Sequence, residues 1–373
     1  MIDRLTDRRT ERGAPPARTL WRHLFGAALL AVILLAVTYK ANSFRDFQIA
    51  EIAYYVVAVA GLTILIGLSG QISLGNGAFM AVGAYSAALL IIHLNWPVIA
   101  VLFAAAAVTA LVGAVIGVAA ARLRGPYLAG ATLIFAVAVP SLAFKYVSLF
   151  GGDQGLSVNV TVPAGLGANF PLTRWQAWIT CAAAVVTLFL LANLAHSRIG
   201  RNWRAIRDDE VAAALAGVNV ARLRVLAFVV SAASAGLAGA LLAITTGLVA
   251  PTGFTLALSI GLLTAAVVGG LGSLAGAVWG SLVLVFLPTY ATDVATSHGL
   301  SSTAGANIPI VAYGVALIAV MLAFPHGIQG GLRQLAAFAT GTRHRRADSP
   351  HPPVAGSPDG STPASEHQEE GPV

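Results

Sequence analysis

Residues 52–121 read IAYYVVAVAGLTILIGLSGQISLGNGAFMAVGAYSAALLIIHLNWPVIAVLFAAAAVTALVGAVIGVAAA. These 70 residues lie between Glu51 and Arg122 and contain no Asp, Glu, Lys or Arg. A helix crosses a bilayer core of about 30 Å with ~20 apolar residues. The stretch is therefore long enough to cross several times. A second run, the 108 residues between Arg224 and Arg333, holds a single charge, Asp293. Backbone groups in lipid must be satisfied within the chain, and runs of this length exceed barrel strands, so they read as helices. The whole chain agrees: 57% of its 373 residues are hydrophobic and 10% charged, with mean hydropathy +0.80. Soluble domains carry about 25% charged residues. That balance argues against a soluble globular protein, a disordered chain and a nucleic-acid binder, despite a net charge of +7.

The punctuation predicts an all-α polytopic membrane protein of about ten crossings. They fall near 24–40, 48–68, 73–93, 97–121, 126–148, 174–195, 225–246, 257–272, 274–291 and 307–324. The pair around Gly272 reads either as two spans or as a broken, re-entrant segment. Placing the N-terminus in the cytoplasm puts segments 1–23, 122–125, 196–224 and 325–373 inside. These hold six, two, six and four of the 22 basic residues, leaving Lys40, Arg45, Lys145 and Arg174 outside. Such a bias follows the positive-inside rule and places both termini in the cytoplasm. Trp96, Trp175 and Trp178 then fall at outer interfaces, where indoles sit well.

Three regions follow: a basic segment 1–23, a transmembrane domain 24–335 and a tail 336–373. The first segment is long and charged ahead of its apolar run and lacks a clear cleavage site, so it reads as retained rather than as a secretory signal. The tail is rich in Pro, Ser, Gly and Glu and is expected to be disordered.

Small residues recur at helix-packing spacing. Gly113 and Gly117 are one pair, Gly272, Gly276 and Gly280 a longer stripe, and Ala235 and Gly239 another pair. In lipid such residues let backbones approach closely. The segment 68–86 adds polar groups to glycines: Gly70, Gln71, Ser73 and Asn76. Polar side chains at bilayer depth are costly unless they face a cavity or another helix. Either a broken helix beside a transport path or a tight, internally satisfied helix pair accounts for them.

Several chemistries lack their residues. With only Lys40 and Lys145, no Gly-Lys phosphate loop exists. Gly270-Leu-Gly-Ser-Leu-Ala275 matches a dinucleotide pattern by letter but sits in an apolar run without strand–helix context. Cys181 stands alone, which rules out a disulfide framework, and the eight histidines are scattered. No catalytic residue, cofactor or metal site is expected. Glu51, Lys145, Asp153 and Asp293 all fall near expected outer helix ends, which disfavours an ion-coupled carrier. A driving force would then come from another subunit.

The loop 196–224 is the place for one to act. Between Arg198 and Arg224 it holds six arginines against three acids, Asp208, Asp209 and Glu210. Ala205 to Ala216 reads as a short helix closed by Gly217, with the acids favouring its start. Trp203, Ile206, Val211 and Leu215 offer it apolar contacts, either for a cytoplasmic partner or for the membrane interface.

Glu210-Val-Ala-Ala-Ala-Leu-Ala-Gly217 resembles the coupling-helix region of bacterial ABC importer permeases. The flanks Ser197-Arg-Ile-Gly-Arg201 and Gly217-Val-Asn-Val-Ala-Arg-Leu-Arg-Val-Leu-Ala-Phe228 are similar to the branched-chain amino acid class, LivM type. So are Leu68-Ser-Gly-Gln-Ile-Ser-Leu-Gly75, Gly151-Gly-Asp-Gln-Gly-Leu156, Val267-Val-Gly-Gly-Leu-Gly-Ser273 and Phe324-Pro-His-Gly-Ile-Gln-Gly330. The likeness covers roughly 25–335 in the same order. Pro126 and Asp153-Gln154 depart from it, as does the absence of acidic, Arg or Asn residues in 136–147. The resemblance implies a permease subunit in a bacterial inner membrane. Its implied partners are a second permease subunit, two cytoplasmic ATP-binding subunits and an extracytoplasmic substrate-binding protein. Arg207, Asp208, Asp209, Glu210, Ala213 and Gly217 would couple to the ATPases. Gly70, Gln71, Ser73, Asn76, Gly151, Gly152, Asp153 and Gln154 would line or gate the path. Branched-chain or other small neutral amino acids are the implied cargo, with urea, short amides or small carboxylates as the alternative. An ion-coupled carrier acting alone is a further alternative.

Overall fold

A computed structural model describes residues 42–121, 126–163, 170–297 and 327–332, with isolated positions 38, 165, 314, 315 and 318 beside them. Of the expected first crossing, 24–40, only Thr38 is described; its hydroxyl accepts a hydrogen bond from Trp178 Nε1 at 3.0 Å. The expected last crossing, the basic segment 1–23 and the tail 336–373 lie outside the described residues, apart from three positions within 307–324.

The chain is helical, as its apolar runs require. The long helices are α1 (Ser43–Thr63, continued by a π-helical turn Ile64–Leu68), α2 (Asn76–Leu94), α3 (Val98–Ala120) and α4 (Pro126–Lys145). A single turn, α5 (Val147–Phe150), and a 3-10 turn (Gly152–Gln154) lead to the strand β1 (Leu156–Ser157). Then come α6 (Leu172–His196), two short helices α7 (Arg198–Asp208) and α8 (Glu210–Leu215), and α9 (Val220–Thr246). The strand β2 (Leu248–Val249), a 3-10 turn (Pro251–Phe254), α10 (Leu256–Gly269) and α11 (Leu274–Ser297) complete the order. Six of these helices, α1 with its π turn, α2, α3, α4, α6 and α9, are long and apolar enough to cross a membrane.

Three features refine the sequence reading. The helix expected over 48–68 starts five residues earlier, at Ser43. Glu51 therefore lies two turns inside it, with Tyr54 Oη 3.4 Å from Glu51 Oε1. Around Gly272 the chain forms a helical hairpin, in which α10 has only 14 residues. At 1.5 Å per residue that is ~21 Å, short of a full crossing. The helical architecture also includes a small antiparallel pairing, Leu156 with Val249 and Ser157 with Leu248, which ties two distant connections together. Among the indoles, Trp96 is exposed but Trp175 is packed inside the protein at 5% exposure.

Helix α9 is the centre of the bundle, packed against α1, α2 and α3. Small residues bring the backbones into contact. A Cβ on Gly83 would lie 2.1 Å from Gly236 O, and one on Gly239 would lie 1.9 Å from Met80 O. Gly113 and Gly117 receive Ala232 and Phe228 of α9, at 2.3 and 3.1 Å from an added Cβ. Gly276 and Gly280 press on Gly269 and Ala265 within the α10–α11 hairpin, and Gly67 presses on the Gly272 backbone. Since the obstacle at Gly239 is the Met80 carbonyl rather than a movable side chain, Gly239→Leu is expected to exceed the ~1–3 kcal/mol of ordinary overpacking. It should abolish a monodisperse peak in detergent gel filtration. Gly130→Ala, with nothing within 4 Å of an added Cβ, should leave the peak and its melting temperature unchanged or slightly raised.

Candidate functional site

The site is built at the end of the bundle that carries the Arg-rich loop. Helix α6 ends at His196, and Ser197 begins α7 by accepting from Ile199 N and Gly200 N at 3.1 and 3.4 Å. The corner is tight: a Cβ on Gly200 would sit 2.2 Å from Ala195 O. Helix α7 then lies on the bundle through Trp203, which is fully buried and donates from Nε1 to Leu223 O at 2.8 Å. Ile206, three residues on, is buried beside it at 4% exposure.

The single helix expected over 205–216 is two. Asp209 takes an extended conformation, φ −154° and ψ 108°, and breaks the run. Its Oδ1 accepts from Val211 N at 2.9 Å and Ala212 N at 3.0 Å, capping α8. Three successive acids read as one helix start; the middle one instead ends a helix and begins the next. Gly217, at φ +83°, closes α8, and Val218 N bonds back to Ala213 O at 3.1 Å. Ala213 faces inward at 5% exposure, while Val211 and Leu215 stand out at 68% and 84%. The four apolar residues of the loop thus divide: Trp203 and Ile206 hold it to the bundle, and Val211 and Leu215 are free of it.

Two polar links join this element to the spans. Glu210 Oε2 accepts from Arg224 Nη2 at 2.8 Å, fastening α8 to the first turn of α9. The pair is partly exposed and worth at most about 1 kcal/mol. Arg207, an exposed residue of α7, reaches back to donate from Nη1 to the Gly67 carbonyl. Gly67 belongs to the π turn that ends α1, where the Ile64, Leu65 and Ile66 carbonyls accept from Ser69, Gln71 and Gly70 N. The Arg207 stem lies against Gly70, 3.2 Å from where a Cβ would be. Trp203 and Arg207 are four apart, so the direction of Arg207 was available in the sequence once Trp203 was recognised as buried. Asp208 is exposed.

Beyond the π turn the chain is broken from Ser69 to Gly75. Gln71 Nε2 donates to Ser69 Oγ at 2.7 Å and to Arg224 O at 3.3 Å. The extended stretch is held by hydroxyls: Leu74 N donates to Thr132 Oγ1 of α4, Gly75 N to Ser73 Oγ, and Gly77 N to Ser259 Oγ of α10. Ser73 and Asn76 are buried at 0% and 1% exposure. Several polar groups are satisfied internally, but Gln71 Oε1 and both ends of the Asn76 amide have no partner among the described residues. Leaving such a group unmet costs about 1–3 kcal/mol.

Gly151 to Gln154 stand apart from these groups. Gly151 ends α5 at φ +76°, and Asp153 and Gln154 are exposed on the following turn. An edge contact of Tyr85 with Phe150, centroids 5.0 Å apart, and β1 with β2 anchor the region. No group of three or more His, Cys, Asp or Glu suited to a metal occurs among the described residues.

The family model described as branched-chain amino acid transport system / permease component matches residues 46–324. The high-affinity branched-chain amino acid transport system permease protein LivM of Salmonella typhimurium is 33% identical over 282 residues. That match takes in 69% of this chain and 66% of the relative, so the chain spans about two thirds of the relative's length. The LivH permease protein of Escherichia coli is 31% identical over 74% of this chain and 91% of its own. The ribose import permease protein RbsC of Escherichia coli is 28% identical over 70% and 82%. No solved structure matches. A multi-pass helical bundle with this loop and a family match across most of its length leave one conclusion: the chain belongs to the permease-component family of branched-chain amino acid transport systems.

Proposed function

We propose that this chain is a transmembrane permease subunit of an ATP-driven importer in a bacterial inner membrane. Its cargo is branched-chain or other small neutral amino acids. Its domain over 24–335 crosses the membrane repeatedly, with the α10–α11 hairpin as a broken segment and both termini in the cytoplasm, and it works beside a second, related permease subunit. Two cytoplasmic ATP-binding subunits and an extracytoplasmic substrate-binding protein complete the assembly. The broken segment Gly70 to Asn76 lies on the path, and Gly151 to Gln154 sit at its outer mouth. Selection among cargoes falls to the binding protein, because the path itself carries few polar groups.

One observation carries this reading: the 198–217 element has two opposed faces. Trp203, Ile206 and Arg207 join it to the spans, whereas Val211 and Leu215 are exposed apolar groups outside any span. A helix built so is suited to sit in a groove of a partner and to pass movement inward. ATP binding closes the ATPase pair, α7 and α8 move with it, and the π turn and Gly70 segment follow. The cycle requires that the ATPases bind the outward- and inward-facing states with different affinity.

Glu210→Arg sets two arginines side by side at the root of α8. Gly217→Trp puts a bulky side chain at φ +83°. Each should abolish stimulation of the ATPases by the loaded binding protein while leaving membrane insertion intact. Normal coupled uptake in both variants would sink the assignment.

A further inference from the structure

The Asn76 amide is buried at 1% exposure with neither its nitrogen nor its oxygen partnered among the described residues. Its depth explains why that matters. Helix α9, with 27 residues, is ~40 Å long. Helix α2 crosses it where Met80 and Gly83 meet Gly239 and Gly236, 16 to 19 residues from Val220. Gln71 Nε2 reaches Arg224 O, only ~6 Å along α9 from Val220, so Asn76, between Gln71 and the crossing at Met80 and Gly83, sits roughly 15–20 Å along α9, near the middle of the bundle. Helix α2 therefore begins at mid-membrane depth, after an extended approach held by Thr132 and Ser259.

A helix start carries partial positive charge and N–H groups that precede the first intrahelical bond. In α2 that bond is Phe79 N to Gly75 O, and Gly77 N is taken by Ser259. Asn76 N and Ala78 N have no partner among the described residues and remain as donors in the turn that bears the Asn76 amide. On α9, Ser231 Oγ is likewise buried without a partner among the described residues, ~16 Å from Val220. Oriented donors without a formal charge, held away from water, suit an anionic group that stays only briefly. An ammonium group would meet the wrong end of the helix dipole.

Resting on the transport reading above, we infer that the first turn of α2, with Asn76 Nδ2, is a mid-membrane station for the carboxylate of the transported amino acid. The side chain of the cargo needs no polar partner there. Binding shifts the carboxylate from water onto Asn76 Nδ2 and backbone N–H groups, and release restores the unpartnered amide.

The test uses the full complex in proteoliposomes, with L-leucine as probe, and compares Asn76→Leu, Asn76→Asp and Asn76→Gln. Asn76→Leu is expected to lower uptake about tenfold, the size of one lost hydrogen bond to a charged group. Asn76→Asp should lower it further by repelling the carboxylate, and Asn76→Gln should restore part of it. ATPase stimulation by loaded binding protein should persist in all three, which separates the station from the coupling element. Wild-type uptake by Asn76→Leu would overturn the inference and assign the amide to a buried water. Loss of stimulation along with uptake in all three variants would also overturn it, making Asn76 a packing residue. If Asn76→Leu does not assemble, Asn76→Ser, which removes the amide with a smaller change, decides by the same uptake criterion. An unmutated complex that hydrolyses ATP but takes up no leucine would instead refute the transport reading itself.

Discussion

Leu215→Asp combined with Val211→Asp is expected to strip the ATP-binding subunits from the purified complex. Both side chains are largely exposed, at 84% and 68%, on a six-residue helix that contributes only Ala213 to the bundle interior. Exposed apolar pairs outside a membrane span cost the free protein nothing to polarise. The folded permease should therefore keep its gel-filtration profile and melting temperature. At a partner interface the same changes bury two carboxylates in an apolar groove. Hot-spot interface residues cost at least about 2 kcal/mol each when removed, close to 30-fold in affinity, and a buried carboxylate costs more than a truncation. The double variant should then fall below detection in co-purification with the ATPases. Full co-purification would mean that α8 lies against the membrane interface, not a partner.

Arg207→Ala is expected to give the opposite separation: ATPases bound, but deaf to substrate. The guanidinium is the polar link from α7 to the Gly67 carbonyl, and its stem packs on Gly70. Gly67 in turn touches the Gly272 backbone at the α10–α11 turn. Removing the side chain leaves Val211 and Leu215 in place and cuts the path by which their motion reaches two helix ends. A charge-assisted hydrogen bond is worth about 1.5–3 kcal/mol, so stimulation by loaded binding protein should drop about tenfold or more. Basal hydrolysis should stay near that of the unmutated complex. Arg207→Lys keeps the charge without the planar fork and should fall between the two. An Arg207→Ala complex with full stimulation would show that coupling runs through Glu210 and Arg224 alone.

How far the sequence anticipated this architecture depended on the type of signal. Long charge-free runs marked the spans, because lipid excludes charge regardless of packing. The boundaries of α3 and α9 follow their apolar runs to within a few residues. The Arg-rich loop was equally visible, since its charges have nowhere else to go. Breaks in helices were much harder to read. Ile64 to Leu68 is an ordinary apolar string, and nothing in its composition announces a π turn. Asp209 was hidden because acids favour a helix start, and three in a row do not say which one caps. The pairing of Leu156–Ser157 with Leu248–Val249 joins segments too far apart for any local pattern to show. The polar segment 70–76 was legible as unusual, yet its depth was not. That depends on where α2 crosses α9, which the glycines of both helices decide together.

The most direct measurement of the central claim is uptake into proteoliposomes assembled from purified parts. This chain, a second permease subunit, two ATP-binding subunits and the binding protein are combined, and radiolabelled L-leucine is followed with and without ATP. Uptake is expected only when every part and ATP are present, and to vanish when the ATP-binding subunits are left out. ATP-independent leucine uptake by liposomes holding this chain alone would contradict it.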